Sequence, residues 1–283
     1  MARSFDIRTM SAADLARALD WAAAEGWNPG LDDARAFHIA DPQGFLVGLL
    51  DGTPMGCVSV VRYGSGFGFL GFYITTPEGR GKGYGIQLWN AGMARLTGRS
   101  VGLDGVPAQQ DNYRKSGFHL AWRNIRYQGA AAARGLPPPG VALTDAKTLP
   151  FEAVATYDRR FFPAPRDGFL ANWIGAPGHI ALAALRDGSM QGLGVIRPCR
   201  SGFKIGPLYA ADAAIAAALV GGLCERAGPG VVALDVPETN AKAVHLAESL
   251  GMVPAFETAR MYTGVDPQID AAGLFGVTTF ELG

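Results

Sequence analysis

The spacing of apolar residues in the first half of the chain changes from helical to strand-like. Residues 12–24 carry an apolar residue every three or four positions, and Ser11 with Asp14 three places later resembles a capping box. Three apolar segments, 45–50, 55–63 and 67–75, follow and are separated by glycine-containing turns, which predicts an antiparallel meander. The other predicted elements are strands over 5–8, 100–106 and 120–127 and helices over 32–39, 83–96 and 110–115.

The second half repeats this order of elements. Two copies of one α+β fold, each a mostly antiparallel twisted sheet with flanking helices in three layers, explain the repetition better than two unrelated domains. The tail at 275–281 alternates with period two and predicts a closing strand. The remaining predicted elements are helices over 151–161, 168–174, 211–227 and 240–250 and strands over 180–186, 192–197, 203–209, 231–236 and 255–262.

A segment rich in alanine and proline separates the two halves. Residues 129–140 contain an alanine run and then Pro137, Pro138 and Pro139, which cannot hold a helix or a sheet ladder. We therefore predict a first domain over 1–130, a linker over 131–140 and a second domain over 141–283.

The composition excludes several classes of protein. Lys plus Arg equals Asp plus Glu at 25 each, so no net charge draws the chain to nucleic acid or to an anionic membrane. The three cysteines, Cys57, Cys199 and Cys224, are far apart and show neither a metal-binding spacing nor a disulfide framework. The sequence also lacks a signal peptide and a long apolar span, so we expect a cytoplasmic protein without a bound metal.

The strongest chemical signal is a glycine-rich loop between a strand and a helix. Glycines alternate at positions 79, 81, 83 and 85, and Arg80 and Lys82 stand between them. Glycines let the backbone approach a bulky anion, and the free N–H groups of the first helical turn point toward it. The order of elements and the spacing do not match a dinucleotide-binding or a Walker loop. The sequence predicts a site for a pyrophosphate, and the alternative is a surface turn.

This run resembles the R/Q-x-x-G-x-G/A motif of the GNAT acetyltransferase superfamily, through Arg80, Gly83 and Gly85. The segments 25–30, 41–45 and 103–106 are more particularly similar to tandem GNAT proteins of the YitH type. The resemblance implies acetyl-CoA as the acyl donor. It assigns donor binding to the strand residues Tyr73, Ile74 and Thr75 and to the loop residues Arg80, Gly81, Lys82, Gly83, Tyr84 and Gly85.

A second segment, 112–118, resembles the part of GNAT proteins that places a tyrosine beside the thioester sulfur. The resemblance implies that Tyr113 donates a proton to the departing thiolate, and the alternative is a packed aromatic residue. The chain departs from the family pattern at Val106, where GNAT proteins usually have an asparagine that contacts CoA.

The second half retains the fold pattern without the chemistry. Its loop has no glycine cradle, Asp212 would place negative charge at the phosphate position, and Ala247 stands where the tyrosine should be. We expect this half to act as a lid or a substrate-binding partner.

The acceptor amine must lose a proton, so the reaction needs a base. GNAT proteins often carry a glutamate on the strand before the loop, but residues 69–75 contain no carboxylate. Asp104 is the best replacement, because a carboxylate within an apolar strand needs either a function or a structural partner. By analogy with the fold, Trp27, Asn28, Asp33 and Asp41 border the acceptor groove, and their carboxylates would suit a cationic amine.

The function expected from these features is N-acetyl transfer to a primary amine of a small molecule or peptide, by direct attack in a ternary complex. The alternatives are a non-catalytic acyl-CoA sensor and a tandem GNAT transferase that uses another acyl donor. We expect a monomer or homodimer without nucleic-acid or membrane partners.

Overall fold

The structure is a computed structural model that describes residues 4–130 and 136–283. Residues 131–135, which begin the predicted linker, lie outside the described residues. Within the described residues, no helix combines the length and the apolar character that crossing a bilayer requires.

The first half follows the predicted order of elements. Ser11 caps the first helix through the expected capping box with Asp14. The elements are β1 (Phe5–Thr9), α1 (Ala12–Ala24), α2 (Asp33–Ala40), β2 (Phe45–Leu50), β3 (Thr53–Tyr63), β4 (Phe67–Thr75), α3 (Tyr84–Arg95), β5 (Ser100–Gly105), α4 (Gln110–Lys115) and β6 (Phe118–Gly129).

The second half repeats the order and adds a strand that the sequence did not predict. This strand, β7 (Val141–Asp145), pairs with the edge of the sheet directly after the prolines. The other elements are α5 (Phe151–Asp158), α6 (Asp167–Gly175), β8 (Ile180–Arg186), β9 (Ser189–Pro198), β10 (Phe203–Ala210), α7 (Ala213–Ala227), β11 (Val232–Pro237), α8 (Ala241–Ser249), β12 (Val253–Thr263) and β13 (Leu274–Gly276).

The predicted closing strand at 275–281 is wrong beyond Gly276. The side-chain oxygen of Thr279 accepts hydrogen bonds from the backbone N–H groups of Glu281 and Leu282, both at 3.0 Å. Such a local bond gives the backbone an alternative to a ladder, so the chain turns here. The tail remains buried, which explains its apolar alternation.

The strands of the described residues form one continuous sheet in which the two halves exchange a strand. The order is β1-β2-β3-β4-β5-β12-β6-β11-β10-β9-β8-β7, with β13 paired to β10. Strand β12 of the second half therefore pairs with β5 of the first half, and β6 of the first half pairs with β11 of the second. The pairing of strands thus crosses the predicted division of the chain.

Two buried ion pairs connect the exchanged strands. Arg260 on β12 lies opposite Asp104 on β5, with Nε–Oδ1 and Nη2–Oδ2 distances of 2.8 and 2.6 Å. Arg126 on β6 lies opposite Asp235 on β11 with distances of 2.6 and 2.8 Å. The two pairs occupy equivalent register positions in the two halves. Each exchanged strand is therefore held by a two-pronged charge contact to the half that receives it.

The hydrophobic core is also shared between the halves. Its largest cluster contains side chains from both, and Phe37 of α2 stacks on Trp173 of α6 with ring centroids 6.0 Å apart. Apolar burial and strand exchange together fix how the two halves lie against each other.

We expect removal of the charge at Asp235 to destabilise the protein strongly. The Asp235→Asn variant leaves Arg126 buried without its anion, and breaking a buried pair costs about 3–5 kcal/mol. Urea unfolding measures the change. The Asp167→Asn variant, which breaks a half-exposed pair with Arg159, should leave the unfolding midpoint unchanged. Equal midpoints for the two variants would contradict the role assigned to the buried pair.

Candidate active site

The candidate site begins where two neighbouring strands separate. Strands β4 and β5 pair in parallel from Phe67 with Ser100 to Leu70 with Leu103 and then diverge. Beyond Leu70, β4 bulges, because its register with β3 shifts and Phe72 takes a φ of 44°. The backbone after Leu70 is therefore free of its neighbour, and a wedge opens between the two strands.

A cavity of about 510 Å³ occupies this wedge. Its volume lies within the range of ordinary small-molecule sites. The structure brings together in its wall seven of the residues predicted from the sequence: Trp27, Tyr73, Ile74, Thr75, Arg80, Asp104 and Tyr113.

The predicted phosphate loop follows β4 and has the geometry that an anion requires. Gly81 and Gly83 take φ values of 72° and 81°, in the left-handed region that favours glycine. Gly83 is the N-cap of α3 and provides no side chain to bond the first helical N–H groups. A Cβ at Gly85 would lie 3.0 Å from Thr75 Oγ1 and Tyr73 Oη, so glycine lets the helix approach the strand. The helix therefore begins with free amides beside β4.

The charged residues of this loop differ in their surroundings. Arg80 donates from Nε to the backbone oxygen of Thr75 at 3.1 Å and forms an ion pair with Glu25, at the end of α1. Lys82 is exposed, and Tyr84 stacks on Phe5 with ring centroids 4.5 Å apart. Gly81, Lys82, Gly83, Tyr84 and Gly85 lie on the loop and helix start, outside the cavity wall.

Tyr113 projects from α4 into the wall of the cavity, and its ring is closely packed. Its ring stacks on Trp89 with centroids 5.5 Å apart, and a Cβ at Gly105 would approach its Cε2 to 2.1 Å. Burial raises the pKa of Tyr113 well above the ordinary value, and Tyr73 contributes in the same direction. The hydroxyl group therefore keeps its proton at neutral and moderately alkaline pH.

Asp104 lies in the cavity wall, but both of its oxygens are engaged. Arg260 holds the carboxylate at two points, and Asn124 donates from Nδ2 to Oδ1 at 2.8 Å. Burial raises the pKa of Asp104, and the charge of Arg260 opposes this change. The equivalent pair of Asp235 and Arg126 occurs in the half without the glycine loop. This repetition supports a structural role for Asp104, as the partner of a buried arginine, over a role as the catalytic base.

Of the four residues predicted to border the acceptor groove, only Trp27 lies in the cavity wall. Asn28 exchanges two hydrogen bonds with the backbone of Ser201 in the second half. Asp33 pairs with Arg197 at 2.9 Å, and Asp41 pairs with Arg62 at 2.8 Å. Asp33 and Asp41 therefore do not line this cavity as expected, because both bind arginines elsewhere in the described structure.

Part of the cavity wall comes from residues that the sequence did not indicate. Phe256 and Thr258 belong to the exchanged strand β12, and Phe280 and Glu281 belong to the tail. No local motif marks them, since they reach the cavity only through strand exchange and through the path of the tail.

The equivalent wedge in the second half is closed by the chain itself. Strands β10 and β11 pair from Phe203 to Ile205 and then separate, and β13 pairs with β10 beyond this point. At the start of α7, the Asp212 side chain accepts a hydrogen bond from the N–H of Ile215 at 2.9 Å. A carboxylate thus takes the position where α3 leaves its amides free.

Comparisons with known proteins agree with this geometry. Residues 12–119 match the acetyltransferase (GNAT) family, and residues 154–276 match an acetyltransferase (GNAT) domain. The chain belongs to the GNAT superfamily and is a tandem GNAT acyltransferase. The holothin acyltransferase of Pseudoalteromonas sp. (strain SANK 73390) is 31% identical over 265 residues, which cover 93% of this chain and 90% of that protein.

Solved structures show the same fold at lower identity. A putative acetyltransferase from Pyrococcus horikoshii has a TM-score of 0.82 at 18% identity and covers 99% of this chain and 96% of its own. A tandem GNAT protein from the clavulanic acid biosynthesis pathway has a TM-score of 0.66 at 16% identity, with coverage of 93% and 100%.

We expect the Gly105→Ala variant to displace Tyr113 from its stack on Trp89. The added Cβ collides with the tyrosine ring, and overpacking of this kind costs about 1–3 kcal/mol. Urea unfolding measures the loss of stability, and tryptophan fluorescence reports the changed stack. The Gly66→Ala variant adds a Cβ in open space and serves as the control. An unchanged stability of Gly105→Ala would contradict the packing described here.

Proposed function

We propose that this protein transfers an acetyl group from acetyl-CoA to the primary amine of a small molecule. The proposal rests on three features that adjoin one another in the structure. The uncapped start of α3 stands beside β4, the wedge opens along β4, and Tyr113 lies in the wall of the same cavity.

The donor end is supported by the electrostatics of the loop. The free amides of α3 and the helix dipole attract a pyrophosphate, and the exposed Lys82 adds positive charge. Beyond Leu70, the edge of β4 that faces β5 has no strand partner, so its backbone groups can bond the amide groups of a pantetheine arm. The thioester would then reach the cavity wall that contains Tyr113.

The chemistry proposed for this site is direct attack of the amine on the thioester. The nitrogen lone pair forms a bond to the carbonyl carbon, the carbon–sulfur bond breaks, and Tyr113 gives its proton to the leaving thiolate. The nitrogen then loses a proton, which restores the Tyr113 hydroxyl and leaves the neutral amide. The raised pKa of Tyr113 supports this role, because the proton is present at the pH where an amine can attack.

Two observations support the proposed class of acceptor: the name of the holothin acyltransferase and the residues of the cavity wall. The name of the relative states that it acylates holothin, which supports a small-molecule acceptor here. Trp27, Phe256 and Phe280 give the wall apolar rings, and Asp33 and Asp41 are engaged by arginines outside it. These rings favour an acceptor with an apolar body, and the two aspartates expected from the sequence to select a cationic amine do not line the wall.

Calorimetric binding of acetyl-CoA tests the donor site. The wild type should bind, and the Gly83→Glu variant should not, because the added side chain fills the loop and repels phosphate. The control is Gly64→Glu, which also replaces an exposed glycine of positive φ, at the turn between β3 and β4. Failure of the wild type to bind acetyl-CoA would remove the assignment of the donor.

Turnover with a set of amines that includes holothin, followed by release of the free thiol, tests the transfer. The Tyr113→Phe variant should bind acetyl-CoA as the wild type does and lose about 10²-fold in kcat. Because its pKa is raised, Tyr113 should remain a proton donor beyond pH 10, so kcat should not decline below that pH through its ionisation. Tyr127→Phe, in the core of the second half, is the control. If the protein binds acetyl-CoA but turns over none of the amines, the result would favour the alternative of a non-catalytic acyl-CoA sensor.

A further inference from the structure

Three acidic residues line the cavity, and the carboxylates of two of them are engaged. Asp104 is held by Arg260, and Glu25 is held by Arg80. A carboxylate in a close ion pair is a poor acceptor for a further proton. The third, Glu281, takes part in no ion pair among the described residues, and its carboxylate makes no hydrogen bond to them. It is also only 3% exposed, so its charge has little contact with bulk water.

Glu281 lies where the wedge between β4 and β5 begins. A Cβ at Gly71, the first residue of β4 beyond its pairing with β5, would approach the backbone oxygen of Glu281 to 2.1 Å. The hydroxyl of Ser59 donates to the same oxygen at 3.5 Å, and Tyr63 donates to the backbone oxygen of Leu282 at 3.1 Å. The tail is thus fixed against the first half at the apex of the cavity.

A neighbouring polar group in the same wall also lacks a partner. Thr258 on β12 is 2% exposed, and its hydroxyl makes no hydrogen bond to the described residues. Buried polar groups nearly always have a partner, and in a cavity a ligand can supply it. Glu281 and Thr258 thus give the wall of this cavity a carboxylate and a hydroxyl group without partners among the described residues.

The charges around Glu281 come from several elements of the second half and from β6. Arg126 on β6, Arg197 on β9 and Lys204 on β10 all act on it electrostatically. Arg126 and Arg197 already have carboxylate partners in Asp235 and Asp33, and Lys204 donates to the backbone oxygen of Trp27 at 3.2 Å. Arg197 bonds Asp33 only through Nε, and none of the three cations forms a hydrogen bond to the Glu281 carboxylate. A purely structural counter-ion is the competing explanation.

We propose that Glu281 is the general base that takes the proton from the acceptor amine. This inference rests on the proposed function, because it assigns a residue to the acceptor end of the same site. The Glu281 carboxylate removes one proton from the ammonium group and later releases it to solvent. The neutral nitrogen then forms the carbon–nitrogen bond, and the carbon–sulfur bond breaks. After attack the nitrogen loses a second proton, which restores the Tyr113 hydroxyl that protonated the thiolate.

The test compares Glu281→Gln with the wild type on acetyl-CoA and two amine probes. Benzylamine is largely protonated at pH 7 and needs a base, whereas hydroxylamine is largely neutral. We expect kcat with benzylamine to fall about 10²-fold at pH 7, with a smaller loss toward pH 10 and with hydroxylamine. Calorimetric binding of acetyl-CoA should be unchanged. The control is Glu257→Gln, which removes an exposed carboxylate next to Thr258 and outside the cavity wall.

A second variant distinguishes whether Glu281 acts as a general base or only as a structural counter-ion. Glu281→Asp keeps the charge but withdraws the carboxylate by one methylene, so we expect an unchanged melting temperature and a loss in kcat of about tenfold or more. Wild-type turnover in this variant, or an equal loss with both amines at every pH in Glu281→Gln, would overturn the assignment of the base. A wild type that binds acetyl-CoA and acetylates neither probe nor holothin would instead overturn the proposed function, and the base with it.

Discussion

The two buried arginine–aspartate pairs on the exchanged strands are the interaction on which the remaining structure depends. Each arginine belongs to one half and its aspartate to the other, so neither half can satisfy its own buried charge alone. Because each pair joins residues that lie directly opposite in adjacent strands, it also fixes the register. The exchange makes one sheet from two copies of a fold, and it places β12 beside the strand that ends at the cavity.

The tail of the second half closes one wedge and lines the other. Strand β13 pairs with β10 where β10 leaves β11, and the residues that follow continue to the apex of the wedge in the first half. The wedge of the second half is therefore occupied by its own chain, whereas the wedge of the first half holds the cavity. The same asymmetry is found at the helix starts, where Gly83 leaves the amides of α3 free and Asp212 caps α7. The two halves thus differ at this position in both backbone path and charge.

Local patterns predicted the elements and the donor loop, whereas the acceptor end depended on long-range contacts. Alternating glycines and a helix start are visible within a few residues, and the structure gives them the expected geometry. The partner of Asp104 lies 156 residues away, and nothing in the spacing indicates whether β6 or β12 pairs with β5. Asp33 and Asp41 were predicted to border the acceptor groove by analogy with the fold, and local sequence does not reveal the arginines that bind them.

The second half contributes residues to the wall of the cavity that opens in the first half. Phe256 and Thr258 reach the cavity because β12 pairs with β5, and Phe280 and Glu281 reach it because the tail crosses the interior. The donor loop and Tyr113 belong to the first half, so the two substrates of the proposed reaction would meet different halves of the chain. A copy that lost its own phosphate loop can thus remain indispensable, since the residues that it retained complete the wall of the other copy's site.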